Sequence, residues 1–169
     1  WELSYLFALA QDLTVGLKRA FYLLDLEPEV VDSANPQSFP APLSHIEFDE
    51  VTFRYQPDRD VIHNVGLSAT VGTVTAIVGG TGSGKSTLMF LLLRLYDPYT
   101  GQIRVNDTDL REIEISAIRA NIAIALQQNA LFALSVDENI RYGNDAADSE
   151  QVQQAAKIAC AHDFIMEMP

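Results

Sequence analysis

Basic side chains are scarce in this sequence: Lys and Arg number 11 against 23 Asp and Glu, a formal net charge of −12. Affinity for DNA or RNA rests largely on cations that neutralise backbone phosphates, so no nucleic-acid partner is expected. A single nucleotide is not excluded, because its few charges can be met locally. Cysteine occurs once, at Cys160, which rules out an internal disulfide and fits a reducing compartment. The longest stretch without Asp, Glu, Lys or Arg covers residues 61–84, and it is too rich in Gly, Thr and Ser to cross a bilayer. No basic start followed by an apolar run marks a signal peptide. The chain opens on Trp1 and closes on FIMEMP with no terminating feature, so a piece of a longer chain is expected.

What the chain does contain is enough apolar material for a core: 48% of its 169 residues. Residues 1–26 read as a helix, with Leu3, Ala10, Leu17 and Leu24 recurring every seven positions and Leu6, Leu13 and Phe21 beside them. Residues 27–44 hold four of the seven prolines and read as a linker, since proline fixes φ and removes a donor. Ile46 and Phe48 alternate, then Val51, Phe53 and Tyr55 alternate after a slip that predicts a β-bulge. Val65, Leu67, Ala69 and Val71 predict a second strand, and Gly66 a bulge within it. Short apolar strands are predicted at 73–78, at Ile103 and Val105, and at 122–126. Helices are predicted from about Gly84 to Tyr96, within 110–120, after the Ser135…Glu138 capping-box spacing, and from about Ser149, where Val152, Ala155, Ala156 and Ala159 share a face.

The most informative stretch is IVGGTGSGKSTL, residues 77–88. Gly79, Gly84, Lys85 and Ser86 fill the pattern G-x-x-x-x-G-K-[ST]. Glycines let the backbone curl into an anion nest, and the following helix adds unpaired amides and the positive end of its dipole. In such a loop the lysine reaches the β- and γ-phosphates and the serine hydroxyl ligates Mg²⁺. A plain Gly/Ser turn is the structural alternative, but an apolar strand before the loop and an apolar helix after it favour phosphate binding. The base-reading Asn-Lys-x-Asp of GTPases and an Asp-x-x-Gly after the loop are both absent, which argues against a GTPase. The loop alone leaves a small-molecule kinase open.

The surroundings of the loop resemble the nucleotide-binding domain of ATP-binding-cassette (ABC) transporters of the exporter type. LKRAFYLLDLEPEVVD resembles the segment joining the last membrane helix to the ATPase domain, and IEFDEVTFRY the first strand with its terminal aromatic. LLLRLYDPYTGQIRVNDTDL and IAIALQQNALFALSVDENIRYG resemble the next helix and hairpin and the glutamine-loop region. The resemblance implies an α/β fold: a P-loop NTPase of the ABC ATPase type, with an antiparallel β-subdomain and the first part of a mixed core sheet, preceded by a helix. It divides the chain into 1–26 (the end of the last transmembrane helix, or a connecting helix), 27–44 (linker) and 45–169 (the N-terminal part of the nucleotide-binding domain).

Residue by residue, it implies that Tyr55 stacks on adenine and that Val61 touches the nucleotide. Gly79, Gly80, Thr81, Gly82, Ser83, Gly84, Lys85, Ser86 and Thr87 would hold the phosphates of ATP, with Ser86 and Gln127 addressing Mg²⁺ and Lys85 and Gln127 acting in catalysis. Gln128 is adjacent, but aligning Leu131-Phe132 with the family's Leu-Phe pair selects Gln127. The implied partners are a second nucleotide-binding domain, identical or different, and a transmembrane domain, with this domain on the cytoplasmic side of the cell membrane. Three family parts are missing from the sequence: the Leu-Ser-Gly-Gly-Gln signature, the late apolar strand ending in Asp-Glu, and the switch histidine. ATP hydrolysis is therefore expected of the complete protein and not of this stretch alone. A soluble cassette ATPase and a non-hydrolysing nucleotide-binding module are the alternatives.

Overall fold

The computed structural model describes residues 2–125 and 130–168, which fall into two compact units, Trp1–Ile124 and Ala125–Pro169. The first unit opens with helix α1, Glu2–Leu24, close to the expected limits. Its stripe is not covered among the described residues: Leu13, Leu17, Phe21 and Leu24 are all exposed. Among the described residues, no helix is long and apolar enough to cross a membrane.

The centre of this unit is an antiparallel sheet built from β1 (His45–Phe53), β2 (Ile62–Thr70), β3 (Thr100–Val105) and β4 (Thr108–Asp109), in the order β2-β1-β3-β4. The slip seen in the sequence of β1 is a true bulge. Pairing passes from Phe48↔Leu67 to Val51↔Val65, so an extra residue lies on β1, and Glu50 there has φ 49°. The bulge returns Val51 and Phe53 to the core side, where both are buried. It also dictates Gly101 on the neighbouring strand. That residue has φ +80°, and a Cβ there would lie 2.5 Å from the carbonyl oxygens of Asp49 and Glu50. The irregularity in β2 falls at Asn64, φ 47°, rather than at the expected Gly66. Asparagine tolerates the left-handed region, and the Asn64 N–H donates to Thr52 Oγ1 at 3.0 Å.

Helix α2, Lys85–Leu92, packs Leu88 and Leu91 into the core formed by Phe48, Val51, Phe53, Ile62, Ile103 and Val105. It is shorter than the 84–96 expected from the sequence. Arg94 adopts φ 49°, its N–H donates to Leu91 O (3.0 Å), and Leu95 N–H donates to Phe90 O (2.9 Å). These paired bonds form a Schellman ending, normally built on glycine. Arginine holds the position because its buried guanidinium donates to Ile113 O at 3.1 Å and Val31 O at 3.0 Å and pairs with Asp97 at 3.3 Å. The Pro-rich segment is thereby docked onto the unit. Asp32 accepts from Ile115 N–H and so caps helix α3, Ile115–Asn121, from 83 positions away. Gln37 bridges to Ile113 in parallel fashion.

The strands expected at 73–78 and 122–126 are not formed among the described residues. Val74 is 98% exposed and Val78 88%. A strand exists only through its backbone partners, and the sheet described here pairs neither segment. The second unit contains α4 (Val136–Arg141), α5 (Ser149–Ile158) and α6 (His162–Met166). The Ser135–Glu138 capping box is present, and Asp148 with Gln151 forms another at the start of α5. On the predicted face of α5, Val152 and Ala156 are buried, while Ala155 and Ala159 are exposed and line an apolar groove.

Candidate functional site

Residues 79–84 curl between the exposed 73–78 segment and the first turn of α2. Ser83 N–H donates to Gly80 O at 3.3 Å, closing a β-turn whose third residue, Gly82, has φ +78°. That sign of φ is the one glycine supplies without steric cost. Gly84 is held more tightly still. It has φ +88°, and a Cβ there would meet Ile62 Cδ1 at 2.5 Å and Val61 O at 3.0 Å. A Cβ at Gly79 would meet Ser83 Oγ at 2.6 Å. The loop is thus closed from inside by its own serine and from outside by the start of β2.

Lys85 is the first residue of α2, and its side chain turns back over the loop. Its Nζ donates to Gly79 O at 2.8 Å, to Gly80 O at 2.6 Å and to Ser83 Oγ at 3.3 Å. A single ammonium therefore sits in the curl, beside a helix N-terminus eight residues long. Ser86 is exposed on the same first turn, and Thr87 is buried. This concentrates positive charge and polar hydrogens at one spot on an acidic chain, which suits a polyphosphate.

The β1–β2 connection brings the remaining predicted residues of this unit to the loop. Val61 N–H donates to Phe53 O at 2.8 Å, which closes the connection and sets the Val61 carbonyl against Gly84. Tyr55, just past the end of β1, is 48% exposed, and its hydroxyl lies 3.2 Å from Thr87 Oγ1, where either can donate. Its ring stands nearly perpendicular to those of Phe53 (4.8 Å, 88°) and Tyr96 (5.2 Å, 86°). The sequence reading named Tyr55 and Val61 as candidates but neither the hydrogen bond between Tyr55 and Thr87 nor the packing of Tyr96 on Tyr55. The chain gives no local signal for either, because Thr87 and Tyr96 meet Tyr55 only in space. Gln127 lies outside the described residues.

Three acidic groups that could serve as bases elsewhere are otherwise occupied or isolated. Burial pushes the Asp109 carboxyl up, but hydrogen bonds from the Arg111 side chain and N–H outweigh it and hold the group below its ordinary range. Glu138 is held low by the Ser135 hydroxyl and then by the Ser135 N–H, both within its capping box. Asp107 is exposed beside Asn106 in the β3–β4 turn. The apolar groove of the second unit, about 510 Å³, is lined by residues such as Phe132, Ile140, Ala156 and Phe164 and by none of the phosphate-loop residues. Among the described residues that line it, the polar Asn139 donates to the carbonyls of Phe132, Leu134 and Ser135.

The profile of the family described as "ABC transporter" matches residues 62–167. The chain belongs to the ABC transporter family. Its relatives include a multidrug efflux ATP-binding/permease protein of Mycobacterium bovis, 36% identical over 99% of this chain and 14% of that protein. An ATP-dependent lipid A-core flippase of Syntrophus aciditrophicus is 37% identical over 91% of this chain and 26% of its own length. The mitochondrial iron-sulfur clusters transporter ATM1 of Chaetomium globosum is 37% identical over 92% and 26%, respectively. A solved structure of a bacterial Atm1-family ABC exporter with ATP bound superposes with a TM-score of 0.83 at 34% identity, covering 94% of this chain and 28% of that one. The ABC chain described here thus spans about a quarter or less of the length of these relatives. Its fold is that of the ABC ATPase domain, α/β with an antiparallel β-sheet beside the phosphate loop.

Proposed function

We propose that this chain is the ATP-binding part of an ABC exporter, with Gly79, Gly80, Thr81, Gly82, Ser83, Gly84, Lys85, Ser86 and Thr87 cradling the phosphates, Tyr55 stacking on the base and Val61 walling the site. The observation that carries this reading is the Lys85 ammonium held in the curl by Gly79 O and Gly80 O, at the start of α2 and beside the Val61–Gly84 contact. Moving those contacts to phosphate oxygens exchanges neutral acceptors for charged ones, which adds ion pairing to hydrogen bonds that the ammonium already makes charge-assisted.

Mg²⁺ fits the donor set. Among the described residues no group of three or more His, Cys, Asp or Glu could hold a metal. Mg²⁺ in nucleotide sites takes few protein ligands, and the exposed Ser86 hydroxyl, with Gln127, would supply them beside phosphate oxygens and water. When bound, the ion neutralises charge on the β- and γ-phosphates. Lys85 orients the terminal phosphate, and Gln127 orients the attacking water.

In the complete protein, residues 1–26 end or extend the last membrane helix, 27–44 link it to the ATPase domain, and 45–169 form the N-terminal part of that domain. Two such domains sandwich ATP on the cytoplasmic side of the cell membrane and drive export through a transmembrane domain. This stretch alone does not turn ATP over, because it contains neither the Asp-Glu strand nor the signature sequence that closes on the γ-phosphate. Titration of a labelled ATP analogue tests the site, with Lys85→Ala expected to remove most affinity; equal affinities would show that the loop is not the site. Steady-state phosphate release by the 169-residue chain is expected not to exceed that of its Lys85→Ala variant.

A further inference from the structure

We propose that Tyr96 is a positioning residue for the nucleotide base, acting through Tyr55. The inference rests on the reading of Tyr55 as the base platform. A platform works only if its ring is already held at the angle the base needs, since ordering a free aromatic side chain on binding costs part of the stacking gain. Tyr55 lies beyond the end of β1 and is half exposed, so its strand does not fix its ring. Three contacts do. Phe53 is buried and meets the ring nearly at right angles, and Thr87 holds the hydroxyl from the phosphate-binding helix. Tyr96 supplies the third, its centroid 5.2 Å away and its plane at 86°.

Tyr96 is itself fixed from below. Its ring packs on Phe53 at 5.4 Å, and it rests against the core. The left-handed turn at Arg94 explains how it arrives there. A helix continuing to Tyr96 would carry the side chain onward along the α2 axis. The Schellman ending stops α2 at Leu92 and folds the chain back, so that Tyr96 lies beside Phe53 and Tyr55. The same helix therefore presents the phosphate loop at its N-terminus and, past its C-terminus, the prop for the base platform. The ring contacts of Tyr96 run to Phe53 and Tyr55, on the base side of the site, so its influence is expected on the base half of the ligand.

The test separates the two halves of the ligand in the full-length protein. Dissociation constants are measured by calorimetry for ATP and for inorganic tripolyphosphate, which has phosphates and no base, each with Mg²⁺. The ratio of the two constants reads the contribution of the nucleoside half. In the parent protein it is expected to be about 5- to 150-fold, the span of base–aromatic stacking. Tyr96→Leu keeps apolar volume against Phe53 but removes the ring beside Tyr55. It is expected to lower the ratio about two- to tenfold, the span of one aromatic edge contact, with tripolyphosphate affinity within twofold of the parent. Tyr96→Phe keeps the ring and is expected to retain the parent ratio. A Tyr96→Leu variant that keeps the parent ratio, or weakens both ligands equally, overturns the proposal, as does a Tyr96→Phe variant that behaves like Tyr96→Leu. Tyr55→Ala serves as the reference: a ratio unchanged in that variant rejects the platform reading itself, separately from the role of Tyr96.

Discussion

Replacing Arg94 by alanine and by glycine should reverse the usual order of these two residues at a helix. Inside a helix glycine is worse than alanine by about 0.5–1 kcal/mol. Arg94, however, sits at φ 49° at the end of α2, where a residue with a Cβ costs about 1–2 kcal/mol relative to glycine. Either substitution removes a guanidinium that is only 4% exposed and strands Ile113 O, whose residue is fully buried, while Val31, which is 63% exposed, can return its carbonyl to water. Hydrogen bonds to charged groups are worth about 1.5–3 kcal/mol each, and breaking a buried ion pair costs about 3–5 kcal/mol. Asp32 and Asp97 are 39% and 36% exposed and regain water when the arginine is lost, which favours the lower end. The expected cost is about 3 kcal/mol for Arg94→Ala and about 2 kcal/mol for Arg94→Gly, the difference being relief of the left-handed backbone. For a domain of this size each kcal/mol moves the melting temperature by about 2–4 °C. Scanning calorimetry of the full-length protein, reading this domain's transition, should place alanine about 6–12 °C below the parent and glycine a few degrees above alanine. Alanine at or above glycine would refute the argument that the Schellman turn stores the strain, and a loss below about 1 kcal/mol in both would refute the role of the buried guanidinium.

Gly101→Ala should destabilise by about 2–4 kcal/mol, because its Cβ meets two backbone oxygens at 2.5 Å in a positive-φ residue, whereas Gly66→Ala, whose Cβ would meet only Phe48 O at 3.9 Å, should stay within about 1 kcal/mol; melting temperatures of the pair check this. Tyr55→Ala should weaken ATP binding by about 1–3 kcal/mol and Tyr55→Trp should be tolerated. Tyr55→Phe loses only the bond to Thr87, about 0.5–1.5 kcal/mol, so a phenylalanine as damaging as alanine in an ATP titration would reject stacking as the role. The lowered pKa of Glu138 means that its capping box supports α4 fully above the ordinary value of 4.5 and fades as pH falls through the lower folded-state value. Amide exchange at Ser135 and Glu138, followed by NMR, should therefore be protected near neutrality and lose protection only at acid pH. Glu138→Gln should remove that pH dependence.

The features legible in the sequence are those set by a few neighbouring residues. The glycine pattern 79–84 before Lys85 points to a tight backbone curl, and Gly82 and Gly84 supply the positive φ values it needs. The slip between Phe48 and Val51 announced the β1 bulge, because side chains alternate at period two and only an extra residue restores the buried face. The capping box at Ser135 was equally local. What the tertiary structure decided are contacts between residues far apart in the chain. The composition of 84–96 favours a continuing helix, yet α2 ends early, since carbonyls from Val31 and Ile113 hold Arg94 in a conformation its own backbone disfavours. Apolar composition at 73–78 suggested a strand, but a strand's backbone must find partners, and the described sheet offers none to that segment. The meeting of Tyr55, Thr87 and Tyr96 has the same origin: β1 and the two ends of α2 converge only once Phe53, Leu88 and Leu91 have packed into one core.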